Sequence, residues 1–186
     1  MSKISGRIDI IMGCMFSGKS TEIIRLINRY KALEKKILIV NHSSDTRYKE
    51  NSISTHSNIN ISCFSTADLA TLKTDEKYDY NGTDVIVIEE GQFFENLYDF
   101  AVQAADKDNK IVIIAGLDGD SNREEFGDII KLIPKCDSVV KLHALCSICK
   151  DGTLACFTKR IVKNQSKILV GVNEFIPVCR FHFNNT

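Results

Sequence analysis

Residues 7–21 read Arg7-Ile8-Asp9-Ile10-Ile11-Met12-Gly13-Cys14-Met15-Phe16-Ser17-Gly18-Lys19-Ser20-Thr21. The apolar, Ile-rich run from Arg7 to Met12 predicts a buried strand. Gly13 to Ser20 satisfies G-x-x-x-x-G-K-[ST], whose glycines let backbone N–H groups turn inward around phosphate oxygens. From Ser20 to Leu33, Ile23, Ile24, Ile27 and Tyr30 recur at helical spacing, with Glu22, Arg25, Arg29 and Lys31 on the other face. Strand, glycine loop and helix in that order make a nucleotide-phosphate cradle: the helix aims its positive end at the anion, Lys19 reaches the β and γ phosphates, and Ser20 ligates Mg²⁺.

Working outward, Ile37–Val40, Asp84–Ile88, Lys110–Ala115 and Ser138–Leu142 read as further strands, and Asn96–Lys107 as a helix. Strands apolar on both faces that alternate with helices predict an α/β fold with a mostly parallel sheet. The polar residues 41–60 read as a long loop, a length that is usually functional when it occurs inside a domain. From His143 onward the character changes to short β-prone runs (Ala155–Val162, Lys167–Val170) without helical periodicity. The division expected is a P-loop domain over 1–142 and a small zinc-stapled module over 143–186.

Two acidic residues follow the strand in Val85-Ile86-Val87-Ile88-Glu89-Glu90. A P-loop fold places an acid at the end of a neighbouring strand to hold the metal's water shell. Successive strand side chains point oppositely, so one carboxylate can face the metal and its neighbour another pocket. Asp45 and Arg47 in the polar segment are candidates for metal-water and phosphate contacts. Cys146-x-x-Cys149 and Cys179-x-x-His182, separated by residues 150–178, match a closed tetrahedral Zn²⁺ site of three thiolates and one imidazole. A closed site points to a structural role, and His143 and Cys156, which lack partners at knuckle spacing, are left out of it.

Composition narrows the classes further. The 186 residues are 44% hydrophobic and 26% charged, which excludes disordered and low-complexity readings. Twenty-four basic and twenty-four acidic side chains cancel, which argues against a nucleic-acid partner. The longest apolar run, Ile111–Leu117, falls well short of the roughly 18 residues of a membrane span. A glycine loop by residue 13 occupies the place of a signal peptide's apolar core, so the expected location is cytoplasmic. Of the seven cysteines, Cys14, Cys63 and Cys136 are scattered while Cys146, Cys149, Cys156 and Cys179 fall in the last quarter, a grouping that favours metal over disulfides there.

Beyond these readings the sequence resembles a family. Gly13-Cys14-Met15-Phe16-Ser17-Gly18-Lys19-Ser20-Thr21 is similar to the G-P-M-F-S-G-K-[ST]-[ST] loop of the type II thymidine kinases, the cytosolic and large-DNA-virus class. Asp45-Thr46-Arg47-Tyr48 resembles their D-[TN]-R-Y, and Glu89-Glu90-Gly91-Gln92-Phe93-Phe94 their D-E-[GA]-Q-F-F. Gly116-Leu117-Asp118-Gly119, Phe126-Gly127, Phe157-Thr158-Lys159-Arg160 and Val178-Cys179-Arg180 follow in family order, so the likeness runs from about Ile8 to His182.

The resemblance implies a RecA-like P-loop domain, transfer of the ATP γ-phosphate to the 5′-hydroxyl of thymidine, and a homotetramer. Glu90 stands at the general-base position. Ser20 directly, and Glu89 and Asp45 through water, would position Mg²⁺, with Gln92 also assigned to the cofactor side. Phe93 would lie against the thymine ring. Leu117, Ser121, Phe157, Thr158 and Phe175 would line the nucleoside site with Ser166, Lys167, Ile168, Leu169 and Val170, the latter within a lasso over 157–175 whose feet the zinc anchors. Some positions depart from the family pattern: Cys14 replaces Pro, Glu89 replaces Asp, His182 replaces a fourth cysteine, Ser121 replaces Phe and Phe175 replaces Tyr. Deoxyuridine stays open as an acceptor. The alternative from another class is a P-loop ATPase that binds nucleic acid through a zinc knuckle.

Overall fold

The structure, a computed structural model, describes residues 5–45, 52–54, 60–162 and 174–185. Its elements in chain order are β1 (Arg7–Gly13), α1 (Lys19–Lys31), β2 (Ile37–His42), β3 (Ser52–Ser54), β4 (Asn60–Ser62), β5 (Phe64–Thr66), α2 (Thr71–Thr74), β6 (Val85–Glu89), α3 (Leu97–Asp106), β7 (Ile111–Gly116), β8 (Ser138–Leu142), β9 (Ala144–Leu145), β10 (Leu154–Ala155), β11 (Phe157–Arg160), β12 (Phe175–Val178) and α4 (Arg180–Asn185). Six strands form one sheet in the order β5-β2-β6-β7-β1-β8, and every pairing in it is parallel. The predicted parallel α/β architecture therefore holds.

Side-chain alternation sorts the sheet's apolar residues onto two faces. Ile8, Ile10, Ile86, Ile88, Val112 and Ile114 pack with Leu97, Phe100, Ala101 and Ala104 of α3. Ile11, Val85, Val87, Ile111 and Ile113 pack on the opposite face with Ile23 and Ile27 of α1. That parity decides where the acids go. Glu89 continues the series Val85, Val87 toward α1 and the phosphate loop. Because all six strands run the same way, the ends of β1, β2, β6 and β7 open onto one rim, where open α/β sheets bind ligands.

Three local expectations are corrected. The stretch 41–60 is not all loop: Asn41 and His42 complete β2, and β3 pairs antiparallel with β4. The short β5 joins the sheet beside β2 although Phe64-Ser65-Thr66 carries no apolar run, because its backbone only has to complete an edge. The chain beyond His143 does contain a helix, α4, in addition to the antiparallel pairs β9–β10 and β11–β12. No helix among the described residues is long and apolar enough to cross a membrane.

Candidate active site and metal cluster

The loop after β1 is a tight turn with little freedom. Gly13 (φ 153°) passes so close to β8 that a Cβ there would stand 2.3 Å from the Leu142 carbonyl oxygen. Gly18 (φ 88°) begins α1 in the left-handed region. Lys19 Nζ lies across the loop, donating to the carbonyls of Gly13 (3.1 Å) and Cys14 (2.9 Å). Ser17 Oγ is buried within the turn and makes no hydrogen bond among the described residues. A buried hydroxyl, a lysine ammonium and a helix N-terminus around one turn suit a phosphate chain.

Ser20 Oγ, on the first turn of α1, donates to Glu89 Oε1 at 2.5 Å. A hydroxyl and a carboxylate are thereby joined at the loop's edge, both hard oxygen donors of the kind Mg²⁺ takes. Glu89 is 5% exposed. Asp45, at the end of the segment after β2, accepts from Asn41 Nδ2 at 3.1 Å. Thr21 is exposed on α1.

Glu90 leaves the strand in the left-handed conformation (φ 54°), which turns its side chain away from the position that strand alternation alone would give. It is 7% exposed. Its Oε2 accepts from Gln92 Nε2, and Gln92 Oε1 accepts in turn from the Leu117 backbone N–H at 3.0 Å. Gln92, expected on the cofactor side, has both ends of its amide engaged here, at the base candidate and at the end of β7. Gly116 admits this amide by close approach, since a Cβ there would be 2.4 Å from Gln92 Oε1.

Phe93 is half-buried between the rings of His42 (5.6 Å) and Phe126 (5.4 Å, edge to face). His42 also meets Phe94 edge-on at 4.6 Å. Burial holds the His42 imidazole below its ordinary pKa. The sequence reading had no role for Asn41 or His42; the signal available was their place at the polar end of a buried strand, on the rim shared with Glu89.

The remaining nucleoside candidates are dispersed. Leu117 is fixed through its N–H, and Ser121 is half-buried nearby in sequence. Thr158 is occupied by the phosphate loop, its Oγ1 accepting the Met15 N–H at 3.0 Å. The Phe157 ring lies 5.4 Å from that of Phe183, with the guanidiniums of Arg180 (4.9 Å) and Arg123 (5.5 Å) over it. Phe175 is buried under the Arg160 guanidinium at 5.4 Å. Arg47 and Ser166, Lys167, Ile168, Leu169 and Val170 lie outside the described residues.

Cys146, Cys149, Cys179 and His182 converge, with one ligand atom from each lying within 4.8 Å of all the others. His182 Nδ1 is 3.6 Å from Cys146 Sγ, 3.3 Å from Cys149 Sγ and 3.4 Å from Cys179 Sγ, and the Cys149 and Cys179 sulfurs are 3.8 Å apart. A tetrahedral Zn²⁺ with bonds of about 2.3 Å to sulfur and 2.0 Å to nitrogen requires edges of roughly 3.5–3.8 Å, so the donor set fits that ion. Burial raises the Cys146 thiol, but the backbone N–H groups of Cys149, Cys179 and Ile148 outweigh it and hold that thiol below its ordinary pKa. All seven cysteines are free of disulfides. His143 and Cys156 stand apart from the cluster.

The family model for thymidine kinase matches residues 6–183. The chain belongs to the thymidine kinase family. It is 43% identical over 183 residues to thymidine kinase a of Arabidopsis thaliana, covering 96% of this chain and 75% of that protein. The thymidine kinase of sheeppox virus is 44% identical over 177 residues, 94% of this chain and 95% of the viral one. That of Yaba monkey tumor virus is 41% identical over 189 residues and covers both chains completely. Plant and poxviral relatives together agree with the type II resemblance of the motifs.

Proposed function

We propose that this chain transfers the γ-phosphoryl group of ATP to the 5′-hydroxyl of thymidine, with Glu90 as the general base. The observation that carries this reading is the division of labour between adjacent carboxylates: Glu89 is bonded to Ser20 at the phosphate loop, and Glu90 is turned aside and held by Gln92. Family membership supplies the substrate class.

Lys19 exchanges its loop carbonyls for the β and γ phosphates, neutralising charge that shifts toward the leaving group. Glu90 accepts the proton of the 5′-hydroxyl while that oxygen bonds to the γ-phosphorus, and the bond from the γ-phosphorus to the bridging oxygen breaks to release ADP. Gln92 donates to the Glu90 carboxylate and restrains its orientation. Phe93, braced by His42 and Phe126, offers a ring face to the base. Magnesium would supply charge neutralisation at the phosphates, held by Ser20 with Glu89 and Asp45 behind it. Zinc at Cys146, Cys149, Cys179 and His182 would be structural, holding the region over 143–186 as a module. A cytoplasmic homotetramer fits the family resemblance.

The test measures ADP release from Mg-ATP with thymidine, deoxyuridine, each other deoxynucleoside and none, on wild type and Glu90→Gln. Release that requires thymidine and collapses in the variant is expected. Release without any nucleoside would overturn the reading in favour of an ATPase.

A further inference from the structure

The phosphate loop and the C-terminal region meet at two points that phosphoryl transfer does not itself demand. Cys14 is 2% exposed and its side chain belongs to the small core of Ala144, Cys146, Ala155, Val178 and Cys179. Its thiol donates to the Ala155 carbonyl oxygen at 3.4 Å. One residue on, the Met15 N–H donates to Thr158 Oγ1 at 3.0 Å, and Thr158, on β11, is 5% exposed. Consecutive residues of the loop are thus bonded to partners more than a hundred positions away, one through a side chain and one through the backbone.

In a cradle made of backbone N–H groups, the direction of each peptide decides which donors face the ligand. Fixing the Met15 amide on Thr158 removes it from the inward set and sets the plane of the neighbouring peptide. Cys14 anchors the preceding residue by burial, where an unmet thiol and a cavity would otherwise be left. We propose that Thr158 and Cys14 form a latch through which the C-terminal region sets the conformation of the phosphate loop, making Thr158 a positioning residue for the nucleotide. This rests on the ATP reading above, and it extends Thr158 beyond the nucleoside side of the site.

Three full-length variants test the latch. Thr158→Val keeps shape and loses the acceptor, Thr158→Ser keeps the acceptor, and Cys14→Ala removes the thiol. Two readouts are taken without nucleoside: hydrogen exchange of the Met15 amide, and affinity for a magnesium-bound non-hydrolysable ATP analogue. Thr158→Val is expected to speed Met15 exchange at least tenfold and to weaken the analogue about five- to tenfold, on the order of one lost hydrogen bond. Thr158→Ser should stay within about twofold of wild type in both, and Cys14→Ala should move both in the direction of valine. Wild-type exchange at Met15 in Thr158→Val, or in Cys14→Ala should the valine variant not fold, overturns the latch. A wild-type chain that binds no analogue overturns the ATP reading instead, and Met15 exchange still decides the latch.

Discussion

Ile8 to Met12 of β1, Val85 to Ile88 of β6 and Val112 to Ala115 of β7 are buried without interruption, most of them branched aliphatic residues covered by a helix on each face. The C-terminal region buries a different set: Ala144, Cys146, Ala155, Val178 and Cys179, with Cys14 from the phosphate loop. The sheet is stabilised by apolar area, at about 25 cal/mol per Å². The fully buried part of the second core is mostly small side chains and thiols, with Phe16, Phe157, Ile176 and Phe183 packed partly exposed against it, so it removes less apolar area than the sheet does. One chain thus combines a large apolar core with a small one built beside four metal-donor side chains, and the two are joined at the loop where ATP is proposed to sit.

The largest effect expected from that contrast is on removing the metal. Chelation should bring amides across 144–162 and 174–182 to near-unprotected exchange while β1, β6 and β7 keep their protection, because metal binding in such sites is folding energy. Hydrogen-exchange mass spectrometry checks it, and uniform loss across the sheet would break the comparison. Glu90→Gln comes next, with turnover falling about 10²- to 10⁴-fold in a steady-state assay and zinc content unchanged. In the sheet, Ile113→Ala should cost about 2–5 kcal/mol in urea unfolding. Leu154→Ala, at an exposed position of the C-terminal region, should stay within about 0.5 kcal/mol.

The smallest effect expected is a pH dependence. Burial depresses the folded-state pKa of His42, so below the ordinary histidine value the unfolded chain takes up a proton that the folded chain resists. Stability from this group is therefore complete above about pH 6.5 and declines as the pH falls further. His42→Gln should flatten that limb of the urea midpoint plotted against pH.

Much of this architecture is legible in the sequence because its signals are local. Glycine spacing marks the cradle, uninterrupted runs mark β1, β6 and β7, and knuckle spacing marks the cysteine pairs. Parity along β6 suggests that Glu89 and Glu90 face different ways, but the direct bond from Ser20 to Glu89 and the left-handed turn that aims Glu90 at Gln92 required coordinates. What escapes the sequence is non-local or short. Cys14 looks like a tolerated substitution in a glycine loop until its side chain is found beneath Ala155. The engagement of Gln92 with both Glu90 and Leu117 depends on β6 and β7 being neighbours. Phe64–Thr66 and Arg180–Asn185 are too brief for either periodicity to register, and in the second the knuckle spacing of Cys179 and His182 masks the helical character.

The strand order has a metric consequence. β7 lies between β1, which carries the phosphate loop, and β6, which carries the base candidate. With neighbouring strands about 4.8 Å apart, the two backbones are held at a span of roughly 10 Å. The sheet acts as a ruler with coarse graduations: loops may lengthen or shorten without altering the span, whereas any change of strand order would shift it by whole strand widths. Distance between donor and acceptor machinery is in that sense quantised by hydrogen-bonded backbone, and side chains such as Glu90 and Lys19 supply only the fine adjustment.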